Sequence, residues 1–319
     1  MKGLPIIFFL LLLPAVAAGS TAVFADAEQG AELLSTADEF TRELSPFDRQ
    51  ARMRVAEVPD AAEFLAFIGK SAIDWPVDER RLLEESWTRV TARLKELGVA
   101  LPDGDIPLVR TDGTEDTGAA YTRGRYIVFH PGTVNDGKHI DGLLAHELFH
   151  VISRHDPVLR DRLYAVIGFE PCGKVAFPES IAGRKMTNPD APFNQHSIGV
   201  EIGGEPARVV PILVAARAFD HESDDDLLSY LRLQFLVIEK RGERWVAGVD
   251  GDGDPKLVSR FRLKKFSEQI GRNTGYIIHP EEILAENFRH WVNGKEGLPD
   301  PEIVEEIREV FASRDAGDE

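Results

Sequence analysis

The segment Leu143-Leu-Ala-His-Glu-Leu-Phe-His150 constrains this chain more than any other. Residues four apart on a helix project from one face, so His146 and His150 can grip one ion between them. Glu147, beside His146, is then in reach of a water held by that ion. Zinc would bring the water's pKa to about 7, and the carboxylate could take its proton and pass it to a leaving amine. The flanks favour a buried helix: Ile140, Leu143, Leu144, Leu148, Val151 and Ile152 are apolar, and Pro157 follows soon after as a stop. Two imidazoles on such a helix are costly without partners, and a metal supplies them. The expectation is one Zn2+ per chain and hydrolytic chemistry; the alternative is a structural helix or a site without its metal.

Met1 to Ala25 has the order of a signal peptide. Lys2 gives a positive start, Leu4 to Ala18 an apolar stretch, and Val23-Phe24-Ala25 small residues ahead of a cut before Asp26. A cut after Ala17 or Ala18, or an uncleaved membrane anchor, is the alternative. The chain is therefore expected to be exported, to the periplasm or the extracellular space, with no membrane partner once the segment is gone. Removing it leaves 294 residues (319 less 25), with 36 Lys and Arg (37 less Lys2) against 54 Asp and Glu, a balance of −18. So acidic a chain argues against nucleic acid or an anionic membrane surface as partner. With 43% hydrophobic residues it can bury a core, and the single Cys172 rules out an internal disulfide and reads as a buried free thiol.

From residue 26 to about 100 the spacing predicts a helical region, with Ala31 to Leu44, Ala61 to Lys70 and Val77 to Leu97 as helices and Ser45-Pro46 and Trp75-Pro76 as breaks. A core over 101–175 follows. In it, Ala119 to His130 alternates like a hairpin or bent strand and is placed either to pair with a substrate backbone or to sit in the core. Gly132 to Gly137 then turns the chain into the motif helix.

With these residues the chain resembles the zincin metallopeptidases. The resemblance implies a small sheet over two active-site helices, zinc on His146 and His150, Glu147 as general base, and a peptide or protein substrate. The third ligand decides the branch. Metzincin spacing would use Asp156, but Ser153 stands where that branch has its glycine, and thermolysin-like spacing falls on Glu170, which Pro171 pushes away from helix. Downstream, Glu282-Ile-Leu-Ala-Glu286-Asn-Phe288 is similar to the third-ligand helix of gluzincin-type proteins. That match makes Glu282 the ligand and Glu286, one turn on, a group orienting a ligand histidine or an alternative ligand. Acids at Glu281 and Glu282 also suit a helix start after Pro280. Tyr276 and His279, just before this helix, are candidate donors to an oxyanion, as tyrosine or histidine is in related enzymes.

Between the motifs, 178–192 is turn-rich, with Glu179, Asn188, Asp190 and His196 as candidate rim residues. Ala207 to Phe219 reads as a strand and Leu233 to Val249 as a hairpin, so 176–258 is expected to be a β-rich insertion. Asp250-Gly-Asp-Gly-Asp254 alternates like a calcium loop but lacks its later positions, which leaves a solvated turn. The last region, 259–319, should hold a basic helix over Arg260 to Ile270, the Glu282 helix, a helix over Asp300 to Phe311 and a frayed acidic tail. The expected class is α+β: a zincin-like core with an N-terminal helical layer and a β-rich insertion. A zincin-fold binding or scaffold protein of the cell envelope, without turnover, is the other expectation.

Overall fold

Leu108, Val109, Ile127, Val128 and Phe129 alternate between two faces of one sheet, and both faces are covered by helices. This computed structural model describes residues 19–115, 118–135 and 138–313. The sheet holds β1 (Thr21–Phe24), β2 (Ala72–Ile73), β3 (Asp105–Thr111), β4 (Tyr121–Arg123) and β5 (Tyr126–Phe129), in the order β1-β3-β5-β4, with β2 also on β3. β1 and β5 run parallel to β3; β4 returns antiparallel to β5 and forms the sheet's edge. One face is covered by α1 (Ala27–Ser35), α2 (Glu39–Glu43) and α4 (Ala61–Gly69), whose Leu34, Phe40, Phe64 and Ile68 meet Val109 and Val128. α3 (Pro46–Met53) packs elsewhere, with Phe47 and Ala51 against Tyr230 and Leu231.

The other face carries the main core. There α5 (Val77–Glu96), α6 (Lys138–His155) and α7 (Pro157–Val166) pack with later helices around fully buried Leu144, Leu148 and Phe149. Truncating one of these leucines to alanine costs about 2–5 kcal/mol.

The second sheet is antiparallel and has eight strands: β6 (Phe169–Pro171), β7 (Lys185–Met186), β8 (His196–Ile202), β9 (Glu205–Ala215), β10 (Leu231–Arg241), β11 (Arg244–Ala247), β12 (Leu257–Val258) and β13 (Leu263–Lys264). Short helices α8 (Glu179–Ala182), α9 (Leu227–Tyr230) and α10 (Phe266–Ile270) join its strands. Then come α11 (Pro280–Val292), laid along α6, and α12 (Pro301–Ala312). The chain is thus α+β, and no described helix is long and apolar enough to cross a membrane.

Several local expectations need correction. Ala31 to Leu44 is two helices, because Asp38 caps the second and its carboxylate also holds the buried Arg123 guanidinium at 2.8 Å. Ser45-Pro46 begins α3 instead of breaking the chain, through a capping box with Asp48. The β-rich part begins at Phe169 and ends at Lys264, wider than 176–258. Arg260 to Ile270 is not one helix: Lys265, at φ +70°, separates β13 from the five-residue α10. β1 lies inside the segment expected to be removed before Asp26, whereas residues 1–18 of that segment and the tail beyond Ser313 lie outside the described residues.

Candidate metal centre

α6 carries His146 and His150 one turn apart, with ring centroids 4.8 Å from one another. α11 lies against it and presents Glu281, Glu282 and Glu286 to the two rings. Glu282 is the shared partner: its Oε2 is 3.2 Å from His146 Nε2 and 3.8 Å from His150 Nε2. Among the described residues, His146, His150 and Glu282 form a group whose ligand atoms all lie within 4.8 Å of one another. All three are buried.

The far side of each ring is held by a second carboxylate. His146 Nδ1 donates to Glu286 Oε1 at 3.0 Å, and His150 Nδ1 to Glu281 Oε1 at 2.9 Å. With Nδ1 taken, both rings turn Nε2 toward Glu282, as a metal-binding histidine pair requires. Glu281 is fixed in turn by the Ser153 hydroxyl at 2.7 Å and the Tyr164 hydroxyl at 2.5 Å. His150 Nε2 is fully enclosed and has no hydrogen-bond partner. A buried nitrogen left so is costly, and a cation at that point would satisfy it. The donor set of two imidazoles and one carboxylate suits zinc.

The carboxylates and the rings shift one another: burial would lower the His146 ring, yet Glu282 and Glu286 raise it well above its ordinary range. Burial would raise the Glu282 carboxyl, yet His150, His146 and the Asn188 amide bring it down to about 2. Burial is likewise outweighed at Glu286, where His146 and Arg289 bring it to about 2. Glu147 moves the other way, pushed up to about 7 by burial, with Glu282 adding to the rise. Its Oε2 accepts from the Thr122 hydroxyl at 2.8 Å. Glu147 also lines a cleft of about 470 Å³ beside His146, Glu282, Tyr276 and Arg289. A carboxyl near neutrality, facing a cleft next to a cation site, can accept a proton there and give it up again.

The candidates from sequence divide clearly. His146, Glu147, His150, Glu282 and Glu286 come together, and Tyr276 stands at the cleft wall. His279 does not join them: it is the N-cap of α11, its Nδ1 accepts from the Glu281 amide, and its Nε2 donates to the Phe193 carbonyl at 3.2 Å. No ring nitrogen remains for an oxyanion. Glu170 lies on β6 and pairs with Arg208 at 2.8 Å, while Asp156 caps α7. Of the rim candidates, His196 pairs with Asp161 and Glu179 is exposed on α8, but Asn188 and Asp190 reach the centre. The edge of β4 is covered as well: the Thr122 amide donates to Asp190 and its carbonyl faces Arg154. Asp250 to Asp254 is an exposed turn closed on the Asp250 carboxylate.

Glu281 is the residue sequence reasoning missed. An acid in the first turn satisfies the helix dipole anywhere, and only the contact with α6 distinguishes its role. The Ser153 position carried the available signal, since it lies three residues past His150 on nearly the same face.

Residues 111–158 match the family model of the eCIS core domain. That stretch runs from the end of β3 through the β4–β5 hairpin and all of α6 into α7; it holds His146, Glu147 and His150 but not Glu282. No curated protein and no solved structure matches the chain.

Proposed function

We propose that this chain is an exported, zinc-dependent metallopeptidase with a zincin-like core, hydrolysing peptide bonds in a peptide or protein substrate. The observation that carries the reading is the convergence of His146 Nε2, His150 Nε2 and Glu282 Oε2 beside a cleft-facing Glu147. Zinc, when bound, supplies Lewis acidity and lowers the pKa of a water it holds to about 7. The rest falls to the protein's own groups. Glu147 takes the proton from the attacking water and returns it to the leaving amine. Glu286 and Glu281 keep the two imidazoles oriented. To Tyr276, at the cleft wall, we assign donation to the oxygen that gains charge.

Replacing Glu147 separates these roles. Glu147→Ala should retain zinc and lose hydrolysis by about 100-fold or more, the range of general-base removal, whereas His150→Ala should lose both. Metal analysis alongside cleavage of a quenched peptide library tests this, and loss of zinc from Glu147→Ala would remove the role assigned to it. The eCIS core domain match supports a second reading, a metal-holding scaffold within an extracellular contractile injection system. Cleavage by the parent that Glu147→Ala abolishes favours the peptidase.

A further inference from the structure

A second cavity, of about 250 Å³, adjoins the cleft at the candidate centre and shares Ala119, Ala120, Asp190 and Tyr276 with it. Its walls are largely apolar: Met186 of β7, Leu213 of β9, Leu228 of α9, Leu231 of β10, and Ile278 just ahead of α11. The register of the second sheet sets three of these on one face. Met186 lies opposite Leu213, and Leu231 lies opposite Ala215, two residues on from Leu213. Behind them, a core shared with Phe47 and Tyr230 holds that face in place. Leu213 is only half-buried, and Leu228 and Tyr276 stand at the rim, 60% and 45% exposed. We propose that this cavity receives one large apolar side chain of the substrate, Phe, Leu or Met, and so selects the bond that is cut. The inference rests on the peptidase reading given above.

Size, chemistry and position each point to that occupant. An apolar cavity of about 150 Å³ takes up a benzene-sized guest, so about 250 Å³ has room for a Phe or Met side chain. The polar groups around it are already held within the fold. One wall is the strap Thr187-Asn-Pro-Asp190, which runs between β7 and β8 and crosses β4, where the Asp190 carboxylate accepts from the Thr122 amide at 2.6 Å. The Thr187 hydroxyl donates to the Glu43 carbonyl at 3.0 Å, and Asn188 donates to Glu282 at 2.5 Å while accepting from the Asp190 amide at 3.0 Å. Arg52, the cation in the wall, lies 3.7 Å from Asp48, donates to the Thr187 carbonyl at 3.2 Å and stacks over Phe40. A charged or amide side chain entering here would give up its hydration for walls whose polar groups are already paired, whereas an apolar one gains by leaving water. Because cavity and cleft share four residues, and an extended peptide advances about 3.3 Å per residue, the selected side chain belongs to a residue within two positions of the bond cut. The second sheet thus supplies selectivity to a centre built by α6 and α11, and Asn188 ties the two together through Glu282.

The test is cleavage of a synthetic peptide library, randomised at each position, by the zinc-loaded parent, Leu213→Phe and Leu228→Lys, with cut sites mapped by mass spectrometry. Leu213→Phe narrows the cavity; Leu228→Lys changes the charge of its rim at an exposed position that the fold does not depend on. In the parent we expect Phe, Leu or Met at one position within two residues of the cut to be favoured over Ala, Asp and Lys by about tenfold or more in kcat/KM. Leu213→Phe should cut the Phe peptide about tenfold more slowly and the Ala peptide within about threefold of the parent, and Leu228→Lys should raise cleavage with Asp or Glu at that position relative to Phe. Cleavage by the parent with no apolar preference near the cut, or a preference that both variants leave unchanged, overturns the inference while the peptidase reading stands. No cleavage of any peptide by the zinc-loaded parent overturns the peptidase reading, and the inference with it.

Discussion

At the scale of single residues, the two α11 glutamates that bind no metal do as much to define the centre as the one assigned to bind it. Glu281 and Glu286 occupy the Nδ1 side of His150 and His146 and leave both Nε2 atoms facing Glu282. Partners of this kind set metal affinity by about 10–100-fold, so Glu281→Gln should weaken zinc by about that factor in a chelator competition; unchanged affinity would leave the residue a mere helix-start acid. His279 gives a pH prediction. Burial holds its ring at about 4, against an ordinary 6.5, so the folded chain keeps it neutral where the unfolded chain protonates it. Its contribution is complete above pH 6.5 and is lost as pH falls toward 4, by roughly 3 kcal/mol at the limit. His279→Asn retains a capping oxygen and should flatten that slope in urea titrations at pH 7 and pH 4.5; an equal slope in both proteins contradicts the assignment. Glu286 stood out in the sequence because an acid beyond the first turn, amid Ile283, Leu284 and Phe288, is not explained by the helix dipole, which by itself accounts for Glu282. Glu281 and His279 did not, because their roles depend on which neighbour each one faces.

At the scale of elements, periodicity located α4, α5, α6 and the β10–β11 hairpin well, since each buries one stripe or face against a single neighbour. It failed where a tertiary contact set the boundary, as at Asp38, which ends one helix region and begins another because Arg123 of the sheet needs its carboxylate. β1 is the same kind of case. Read alone, Thr21–Phe24 is the end of a leader; in the fold it pairs with Asp105–Leu108, Phe24 stacks edge-on against Trp75 at 5.2 Å, and Ala25 is buried. A cut before Asp26 would remove all of this, whereas a cut after Ala17 or Ala18 preserves it. Under the proposed export, the mass of the processed chain should accordingly correspond to a start at Ala18 or Gly19. A start at Asp26 would mean that the sheet functions without its first strand. The strap over β4 was legible only as a turn-rich loop, because nothing in its sequence tells which element it crosses.

At the scale of the whole molecule, the centre joins parts of the chain that fold against one another: α6 from the middle, α11 from near the end, and the strap between β7 and β8. Binding an ion at their junction should stabilise the entire fold. By mass action the gain is about 2.7 kcal/mol at a free zinc concentration 100 times Kd, a rise of about 4 °C in Tm for a chain of this size. The rise should be absent in His150→Ala, and an equal rise there would place the ion elsewhere. That both motifs were legible 130-odd residues apart, while the order of the strands between them was not, reflects chemistry: ligand spacing is a local constraint, and strand order is not. The central claim is that Glu282 completes the site begun by His146 and His150. Metal content by mass spectrometry on the parent, Glu282→Ala and Glu170→Ala, purified without chelator, tests it most directly. About one zinc per chain in the parent and Glu170→Ala, lost or weakened in Glu282→Ala, is the result predicted; no zinc in the parent, or full zinc in Glu282→Ala, would contradict it.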